Sequence, residues 1–499
     1  MEETEKVIEK IKDLVNQKGY VYALCMIILE DFHINPEKLH EIDTRGRLSV
    51  KEASLLLGFL IQDEIDFSIP ETPQDLINLK QKTYKLMEEL HESFMAPFIE
   101  KLENSIKKEN KIDDFRVDQK NFFGTGDMLI EPIFYSGTGV YDFQYMEFFE
   151  RKYKYDIEWL ACKKEFDINQ AQHIVFKIKS ILQEKSQKVH LYDLKERMPA
   201  MFKSIKEKNS QRGFIKHIKD ILPMMELYQY VELFFEYAKV EEGLSIDKIR
   251  KYGWKSFYKS LIELFIVKKS DFDSSINVES FFNYFSITPQ KGSNSQFKTI
   301  GNYNLINSHP IIKLDDDRYF IPITFLLFEA VYESPFYWMM GDKEYRDQAG
   351  KNRGTFGEEI TYDFLSKVFG TSRTFKSVKV ITKKGQTYTD IDVLCILGSK
   401  ALCVQVKSKK LTELSRTGDD KALNNDFKGA VQDAYEQGLV SREKILEKSA
   451  MFIDEVGNEI KLSEEIDDVY IMVITTENYP ALAHQTQVML EKNKKIHFQ

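Results

Sequence analysis

The stretch that decides the fold is Thr389–Lys410, TDIDVLCILGSKALCVQVKSKK. It holds two short apolar runs, Val393–Leu397 and Ala401–Val406, separated by the turn-forming residues Gly398–Lys400. Short apolar runs bounded by turn residues are typical of buried β-strands. The stretch therefore predicts a β-hairpin whose open end carries charged and amide side chains.

These polar side chains suit metal-assisted hydrolysis. A hairpin of this length puts Asp392 beside Gln405 and Lys407, and the last two share one face because they are two residues apart. Ionisable groups at the ends of buried strands need a partner, since burying an unpaired charge is costly. A carboxylate binds a hard cation such as Mg²⁺, and a lysine orients or deprotonates a water or stabilises developing charge. Asp390 faces the same side as Asp392.

The pattern resembles the signature of the PD-(D/E)xK nuclease superfamily: an Asp, a dozen or so residues, then Asp, Glu or Gln, any residue and Lys. The form IDVL…VQVKS is most similar to the Mrr-type and NERD-type restriction-endonuclease-like branches, where Gln replaces the second acid. This chain departs from the signature because no Pro precedes Asp392 and because Gln405 removes a negative ligand. The resemblance covers residues 351–499.

Those families also carry a Glu on a helix before the strands, and GTFGEEITYDFLSKVFG, Gly354–Gly370, fits that helix. On a helical wheel, Glu358 lies at the edge of the apolar face and Glu359 points to water. The apolar positions that define this face are Ile360, Phe364, Leu365 and Val368. Glu358 is therefore the predicted helix acid.

The resemblance implies a Mg²⁺- or Mn²⁺-dependent endonuclease that hydrolyses phosphodiester bonds. The implied catalytic residues are Asp392, Gln405, Lys407 and Glu358. The implied metal ligands are Asp392, Glu358 and Gln405, with Asp390 as a further candidate. In several members of the superfamily the helix after the Lys motif carries a Gln/Tyr pair near the site. Weaker candidates for substrate binding are Lys409, Lys410, Lys428, Gln432 and Tyr435.

Charge is distributed unevenly along the chain. The whole protein carries 70 Lys+Arg and 79 Asp+Glu, a net charge of −9. Between Lys351 and Lys421, 14 basic residues accompany only 8 acidic ones. The predicted site thus lies in a basic island, as expected of a phosphate-binding cleft. DNA is the favoured partner, and the sequence does not exclude RNA.

Cysteine usage and hydropathy indicate the compartment. The four cysteines, Cys25, Cys162, Cys395 and Cys403, form no CxxC pair, which is typical of a reduced, cytoplasmic protein. The N-terminal MEETEKVIEKIKDLV has the pattern of an amphipathic helix, not of a signal peptide. No apolar run approaches the roughly 20 residues of a membrane-spanning helix, so no membrane partner is expected.

With 499 residues the chain is expected to form two or three domains. The predicted fold class is α+β multidomain, with a largely α-helical N-terminal region before a C-terminal α/β restriction-endonuclease-like domain of α-β-β-β-α-β order. The predicted segments are a helical domain over 1–110, an aromatic and Gly-rich β-insertion over 111–165, a helical domain over 166–285, a linker over 286–298, an adaptor of β-hairpin plus helix over 299–350, and the nuclease-like domain over 351–499.

Within these segments, Ile246–Val267 is predicted to be a helix. The C-terminal elements are predicted as helix Gly357–Phe369, strands Phe375–Ile381, Thr387–Leu397 and Ala401–Lys407, helix Asn424–Gly438 and strand Asp468–Thr475.

Three functional hypotheses follow. The first is an active nuclease similar to restriction or anti-phage defence effectors, whose helical N-terminal region senses a trigger, binds a protein partner or forms a homo-oligomer. The second is a nucleic-acid- or protein-binding scaffold with a degenerate nuclease domain, which Gln405 in place of an acid supports. The third is a junction-cleaving recombination enzyme, which predicts a dimer that cuts branched DNA. The joint presence of Asp392, Lys407 and Glu358 favours an active site.

Overall fold

The structure is a computed structural model that describes most of the chain. The described ranges are 3–32, 46–71, 73–94, 141–187, 254–273, 277–382, 385–462 and 466–477, with isolated positions between 96 and 139 and between 479 and 492. Much of the predicted β-insertion and of the second predicted helical domain lies outside these ranges.

Helices and strands are numbered here in chain order. Over the described residues the helices are α1 Thr4–Val15, α2 Tyr20–Phe32, α3 Val50–Leu60, α4 Pro73–Phe94, α5 Asp142–Tyr153, α6 Ile157–Lys164, α7 Ile168–Gln187, α8 Trp254–Glu263, α9 Glu279–Phe285, α10 Thr324–Gly341, α11 Arg346–Phe369, α12 Glu413–Arg416, α13 Asp420–Phe427 and α14 Asp433–Leu446. The strands are β1 Ile266–Lys268, β2 Ser286–Ile287, β3 Ile311–Lys313, β4 Arg318–Phe320, β5 Thr374–Ile381, β6 Thr387–Leu397, β7 Lys400–Lys407, β8 Met451–Ile453 and β9 Asp468–Thr475.

The chain divides into two compact units. Unit 1 comprises Met1–Ala96, Leu160–Thr299 and Tyr303–Glu333, and unit 2 comprises Pro97–Trp159, Ile300–Asn302 and Ser334–Gln499. No helix among the described residues is both long enough and apolar enough to cross a membrane.

Unit 1 combines helices with a small sheet. Helix α2, YVYALCMIILEDF, is apolar on almost all sides and is buried along nearly its whole length. Ser49 and Glu52 form a capping box that starts α3, as their spacing predicts. The predicted helical N-terminal region is confirmed over its described residues. The sheet has the order β1-β4-β3-β2, in which only β2 and β3 are parallel.

The predicted linker over 286–298 is wrong. Its first residues form β2, and its polar side chains bind neighbouring backbone groups. Asn294 Nδ2 donates to Gly58 O at 2.8 Å, and Gln62 Nε2 donates to Phe297 O at 2.7 Å. Polar composition therefore reflects a hydrogen-bonded loop that is fixed to α3, because buried backbone groups require such partners.

The predicted β-insertion over 111–165 is also wrong where it is described, since Asp142–Tyr153 and Ile157–Lys164 are helices. The aromatic content suggested strands. In α5, however, Tyr145, Phe149 and Tyr153 recur every fourth residue and are buried along one helical face.

Two further boundaries differ from the prediction. The predicted helix Ile246–Val267 ends at Glu263, and its last residues enter β1, where Val267 pairs with Tyr319. The hairpin and helix of the predicted adaptor are present as β3, β4 and α10, but β3 and β4 share one sheet with β1 and β2.

Unit 2 is built on a five-stranded sheet of order β8-β5-β6-β7-β9. β7 and β9 are parallel and the other neighbours are antiparallel. On one face α11 packs Leu365 and Phe369 against Val393 and Val404. On the other face Ile445 of α14 belongs to the apolar cluster of β5 and β6. The unit is therefore a sheet covered by a helix on each side, an α/β arrangement.

The predicted bounds of β6 and β9 are confirmed, and β5 and β7 each begin one residue earlier than predicted. α11 begins at Arg346, before the predicted domain boundary. The single helix predicted over Asn424–Gly438 is instead α13, a π-helix over Lys428–Gln432 and then α14.

Candidate active site

The β6–β7 hairpin is regular at its turn and open at its other end. Its turn consists of Gly398 and Ser399, and Gly398 has φ +58°, as two-residue hairpin turns require. The strands pair residue by residue from Leu397 and Lys400 to Val393 and Val404. Both strands continue past this point, yet they no longer pair with each other.

At the open end of the hairpin, called the opening here, hydrogen bonds that involve side chains replace the pairing of the two backbones. Val406 N–H donates to Asp392 Oδ2 at 2.6 Å, and Gln405 Nε2 donates to Asp390 O at 2.7 Å. Gln405 is only 2% exposed. These crossed bonds satisfy buried backbone groups where the two strands separate. Asp392 and Gln405 thus each bridge the two strands at the opening.

β6 changes face at the same place. Ile391 and Leu394 belong to one apolar cluster although they are three residues apart. Regular alternation would put them on opposite faces of the sheet. The alternation is therefore broken next to Asp392.

β5 has a matching break. Phe375 and Val378, again three residues apart, pack on that same cluster. Between them, Ser377 has φ +52°, a left-handed conformation that is uncommon for a residue other than Gly. Because Lys376 pairs with Val393 and Val378 with Ile391, the two breaks face each other.

Helix α11 brings Glu358 to this opening. Glu358 is in line with Tyr362, Leu365 and Phe369, the residues that pack on the sheet, at spacings of four, seven and eleven. This differs from the predicted apolar face, because Phe364 and Val368 are exposed.

Gly357 allows α11 to approach the strands closely. A Cβ at this position would lie 2.6 Å from Thr476 Cγ2 and 3.0 Å from Val406 Cγ1. Val406 is the residue whose N–H binds Asp392. The glycine before Glu358 therefore fixes the distance between the helix and the open end of the hairpin.

The two neighbouring glutamates of α11 have different partners. Glu358 Oε2 accepts a hydrogen bond from Ser377 Oγ at 3.3 Å. Glu359 pairs with Lys154 Nζ at 2.6 Å and accepts from Tyr155 OH at 2.7 Å. The structure thus brings Glu358 to the opening, whereas Glu359 contacts the segment between α5 and α6.

Burial and mutual repulsion shift both acids at the opening. Burial raises the pKa of Asp392, and Asp390 adds to this, while the Val406 N–H and Lys407 oppose it. Burial also raises the pKa of Glu358, with the charge of Asp392 as the next cause and Lys376 among the opposing groups. Both carboxyls resist ionisation because they are partly withdrawn from water and close to other acids.

Lys407 is oriented by the helix on the other face of the sheet. Its Nζ donates to Gln437 Oε1 of α14 at 2.8 Å. The sequence interpretation named Gln432 and Tyr435 on this helix and missed Gln437. That interpretation followed the Gln/Tyr pair of the superfamily that the chain resembles, and a π-helix over Lys428–Gln432 precedes α14.

Two weaker lysine candidates already have acidic partners. Lys409 Nζ lies 3.1 Å from Asp426 Oδ1, and Lys410 Nζ lies 3.3 Å from Glu477 Oε2. Asp426 also accepts from the Thr412 N–H at 2.6 Å. These contacts order the loop after β7, so a phosphate would have to compete with carboxylates for both lysines.

The three other candidates for substrate binding, Lys428, Gln432 and Tyr435, differ in their exposure to solvent. Gln432 binds the backbone of Glu491 twice: its Nε2 donates to the carbonyl at 3.1 Å and its Oε1 accepts from the N–H at 2.9 Å. Lys428 is exposed and Tyr435 is partly buried. Gln432 therefore fastens a later segment of the chain.

Within the described residues, no three His, Cys, Asp or Glu side chains converge closely enough to hold a metal ion by themselves. Comparison of the chain with protein-family models, with curated proteins and with solved structures found no match. The function of the site is therefore inferred from the residues described above.

Proposed function

We propose that this protein is a metal-dependent phosphodiesterase that cleaves nucleic acid, with DNA as the preferred substrate. The supporting observation is that Asp392 of β6 interacts with two other predicted site residues: its charge raises the pKa of Glu358 of α11, and the charge of Lys407 of β7 lowers the pKa of Asp392. A restriction-endonuclease-like core for unit 2 is part of this proposal. The order α11-β5-β6-β7, followed by helices and then by β8 and β9, and the helix on each face of the sheet support it.

The residues at the opening fit a hard divalent cation. Carboxylate and carbonyl oxygens are the ligands that Mg²⁺ and Mn²⁺ prefer. Burial raises the pKa values of Asp392 and Glu358 despite the opposing charges of Lys407 and Lys376, so a bound cation would favour the ionised form of both acids. Asp392 and Glu358 would hold the ion together with the backbone carbonyl beside Gln405. When bound, the ion would polarise the phosphoryl oxygen and stabilise the leaving oxyanion.

Each remaining side chain has a role that its contacts support. Lys407, oriented by Gln437, positions the attacking water and stabilises the negative charge that develops on the phosphate. Gln405 holds β6 and β7 at the correct separation, since its amide nitrogen binds the carbonyl of Asp390. The Val406 N–H fixes the orientation of the Asp392 carboxylate.

A binding scaffold with an inactive site is the second candidate. The crossed bonds of Asp392 and Gln405 favour it, because they give both residues a structural reason to be at the opening without any catalysis. The scaffold does not require Glu358 and Lys407 to lie beside Asp392, whereas a nuclease does.

The deciding experiment is cleavage of plasmid DNA, single-stranded DNA and RNA by the purified full chain with Mg²⁺ or Mn²⁺. Asp392→Asn keeps an acceptor for the Val406 N–H but removes the charge, and Lys407→Ala removes the ammonium. Lys400→Ala, at the turn end of the same strand, is the matched control.

The nuclease proposal expects metal-dependent cutting that Asp392→Asn and Lys407→Ala abolish and that Lys400→Ala retains. The preferred polymer then identifies the substrate class. If no form cuts and wild type binds Mn²⁺ no better than Asp392→Asn, the scaffold is the correct description.

A further inference from the structure

Ser377 combines an unfavourable backbone conformation with a contact to the proposed site. Its φ of +52° lies in the left-handed region, which Gly adopts without steric cost and other residues adopt rarely. A serine in this conformation raises the question of what its side chain contributes to the site. Residues in sparsely populated conformations cluster at functional sites because the surrounding structure holds them there.

The side chain of Ser377 makes that contribution to Glu358. Its hydroxyl donates to Glu358 Oε2 at 3.3 Å, from the strand that faces the break in β6 at Asp392. The left-handed turn of the backbone is therefore what directs the hydroxyl towards α11. Asp392 accepts a backbone hydrogen bond from the Val406 N–H. Among the bonds described above, none of this kind reaches Glu358.

We infer that Ser377 is a positioning residue for Glu358, which sets the orientation of this carboxylate for a divalent cation. The inference rests on the proposed function and adds a residue that the sequence motif does not contain. Groups that hydrogen-bond a metal-binding carboxylate hold it in the geometry the ion needs, and their loss weakens metal binding about tenfold or more.

Two substitutions at Ser377 separate the hydroxyl from the backbone. Ser377→Ala removes the hydroxyl and keeps the strained conformation. Ser377→Gly removes the hydroxyl and relieves the strain. Lys448→Gly is the matched control, because Lys448 has the same φ of +52° beyond the end of α14 and is exposed.

The measurement is Mn²⁺ titration of the full chain, followed by the electron paramagnetic resonance signal of the free ion. We expect Ser377→Ala and Ser377→Gly each to weaken Mn²⁺ binding about tenfold. Lys448→Gly should bind as wild type does. Thermal unfolding tests the backbone strain separately. Ser377→Gly and Lys448→Gly should unfold at a temperature at least as high as that of wild type, and Ser377→Ala at a temperature no higher than that of wild type.

Each alternative result has a separate meaning. Wild-type binding by both Ser377 variants overturns the inference and leaves the proposed function intact. Weak binding by Ser377→Ala but wild-type binding by Ser377→Gly also overturns it, because the backbone and not the hydroxyl would then matter. Absence of specific Mn²⁺ binding by wild type overturns the proposed function, and this inference with it. Should Ser377→Ala fail to fold, the less strained Ser377→Gly still decides between these outcomes.

Discussion

The two ends of the β6–β7 hairpin are joined by different kinds of hydrogen bond. At the turn end, backbone pairing is complete and Lys400 at the surface pairs with Asp467 and Asp468. At the open end, pairing stops and the side chains of Asp392 and Gln405 cross between the strands. Both ends carry a lysine and acids on neighbouring strands.

The two ends differ in their exposure to solvent. The Lys400 cluster is exposed, so water screens its charges and each pair contributes little. Asp392 and Glu358 are partly withdrawn from water and their pKa values are raised. The same residue types therefore form an ordinary surface ion pair at one end and an electrostatically strained cluster at the other.

The proposed function predicts that the largest difference between the ends is in catalysis. Lys407→Ala should lower nuclease turnover by about 10²-fold or more, since proton-handling and charge-stabilising groups contribute on this scale. Lys400→Ala should leave turnover within about twofold, because its exposed pairs lie at the turn. Initial rates of plasmid cleavage at saturating Mg²⁺ test both. Equal losses in the two variants would contradict a functional difference between the ends.

The next expected effect is on stability and depends on two glycines of α11. Gly357→Ala should destabilise the protein by about 1–3 kcal/mol, because the added Cβ would meet Thr476 and Val406. Gly354→Ala should instead stabilise it by about 0.5–1 kcal/mol, since nothing lies within 4 Å of that Cβ and alanine favours helix. Urea denaturation measures both. A common sign for the two substitutions would refute the close approach of α11.

The turn offers a counterpart to Gly357. Gly398→Ala should also lower stability, by about 1–2 kcal/mol, because φ +58° is strained for a residue with a Cβ. The two destabilised variants should differ in Mn²⁺ affinity at a temperature where both are folded. Gly357→Ala shifts Glu358 and should weaken binding, whereas Gly398→Ala should not.

The smallest expected effect has opposite signs at the two ends. Burial raises the folded-state pKa of Asp392, so ionisation costs stability as pH rises from the unfolded value of about 3.9 through the folded value. Without metal, Asp392→Asn should therefore be more stable than wild type at pH 7, and this gain should vanish at acidic pH. Chemical denaturation in EDTA at several pH values measures it.

At the turn end the sign reverses. Lys400 lowers the pKa of Asp467, so the stabilisation that Asp467 contributes is present above the unfolded pKa and is lost as pH falls through the folded one. Asp467→Asn should be slightly less stable than wild type at pH 7. Loss of stability in Asp392→Asn as well would mean that its carboxylate acts as a structural clasp.

Much of unit 2 was predictable because its strands appear in the sequence as apolar runs with polar residues at their ends. The bounds of β6 and β9 follow from that pattern, and so do the positions of Asp392 and Gln405 at the open end of the hairpin. The choice of Glu358 over Glu359 rested on a helical face that included the exposed Phe364 and Val368. The structure puts Glu358 on the inner face for a different reason, its alignment with Leu365 and Phe369.

Other features leave no mark on a single sequence. A serine gives no sign that its backbone is left-handed, so Ser377 could not be singled out. Gln437 was missed because the resemblance pointed to a Gln/Tyr pair on this helix, and no motif marks the glutamine that binds Lys407. In α5, aromatic residues that usually favour strands pack as a helical stripe, because tertiary burial overrides local preference.

The parallel pairing of β7 with β9 has a consequence for how the protein is made. β7 pairs with β9 over its full length, from Lys400 to Lys407, but β9 follows only after α12, α13, α14 and β8 in the chain. During synthesis, the strand that carries Lys407 therefore leaves the ribosome well before its partner does. Contacts between distant segments form late in folding, because closing a long loop costs entropy. A ribosome-bound chain that stops before Asp468 should thus lack the edge strand that pairs with β7, and the metal affinity that we propose should appear only once β9 has emerged.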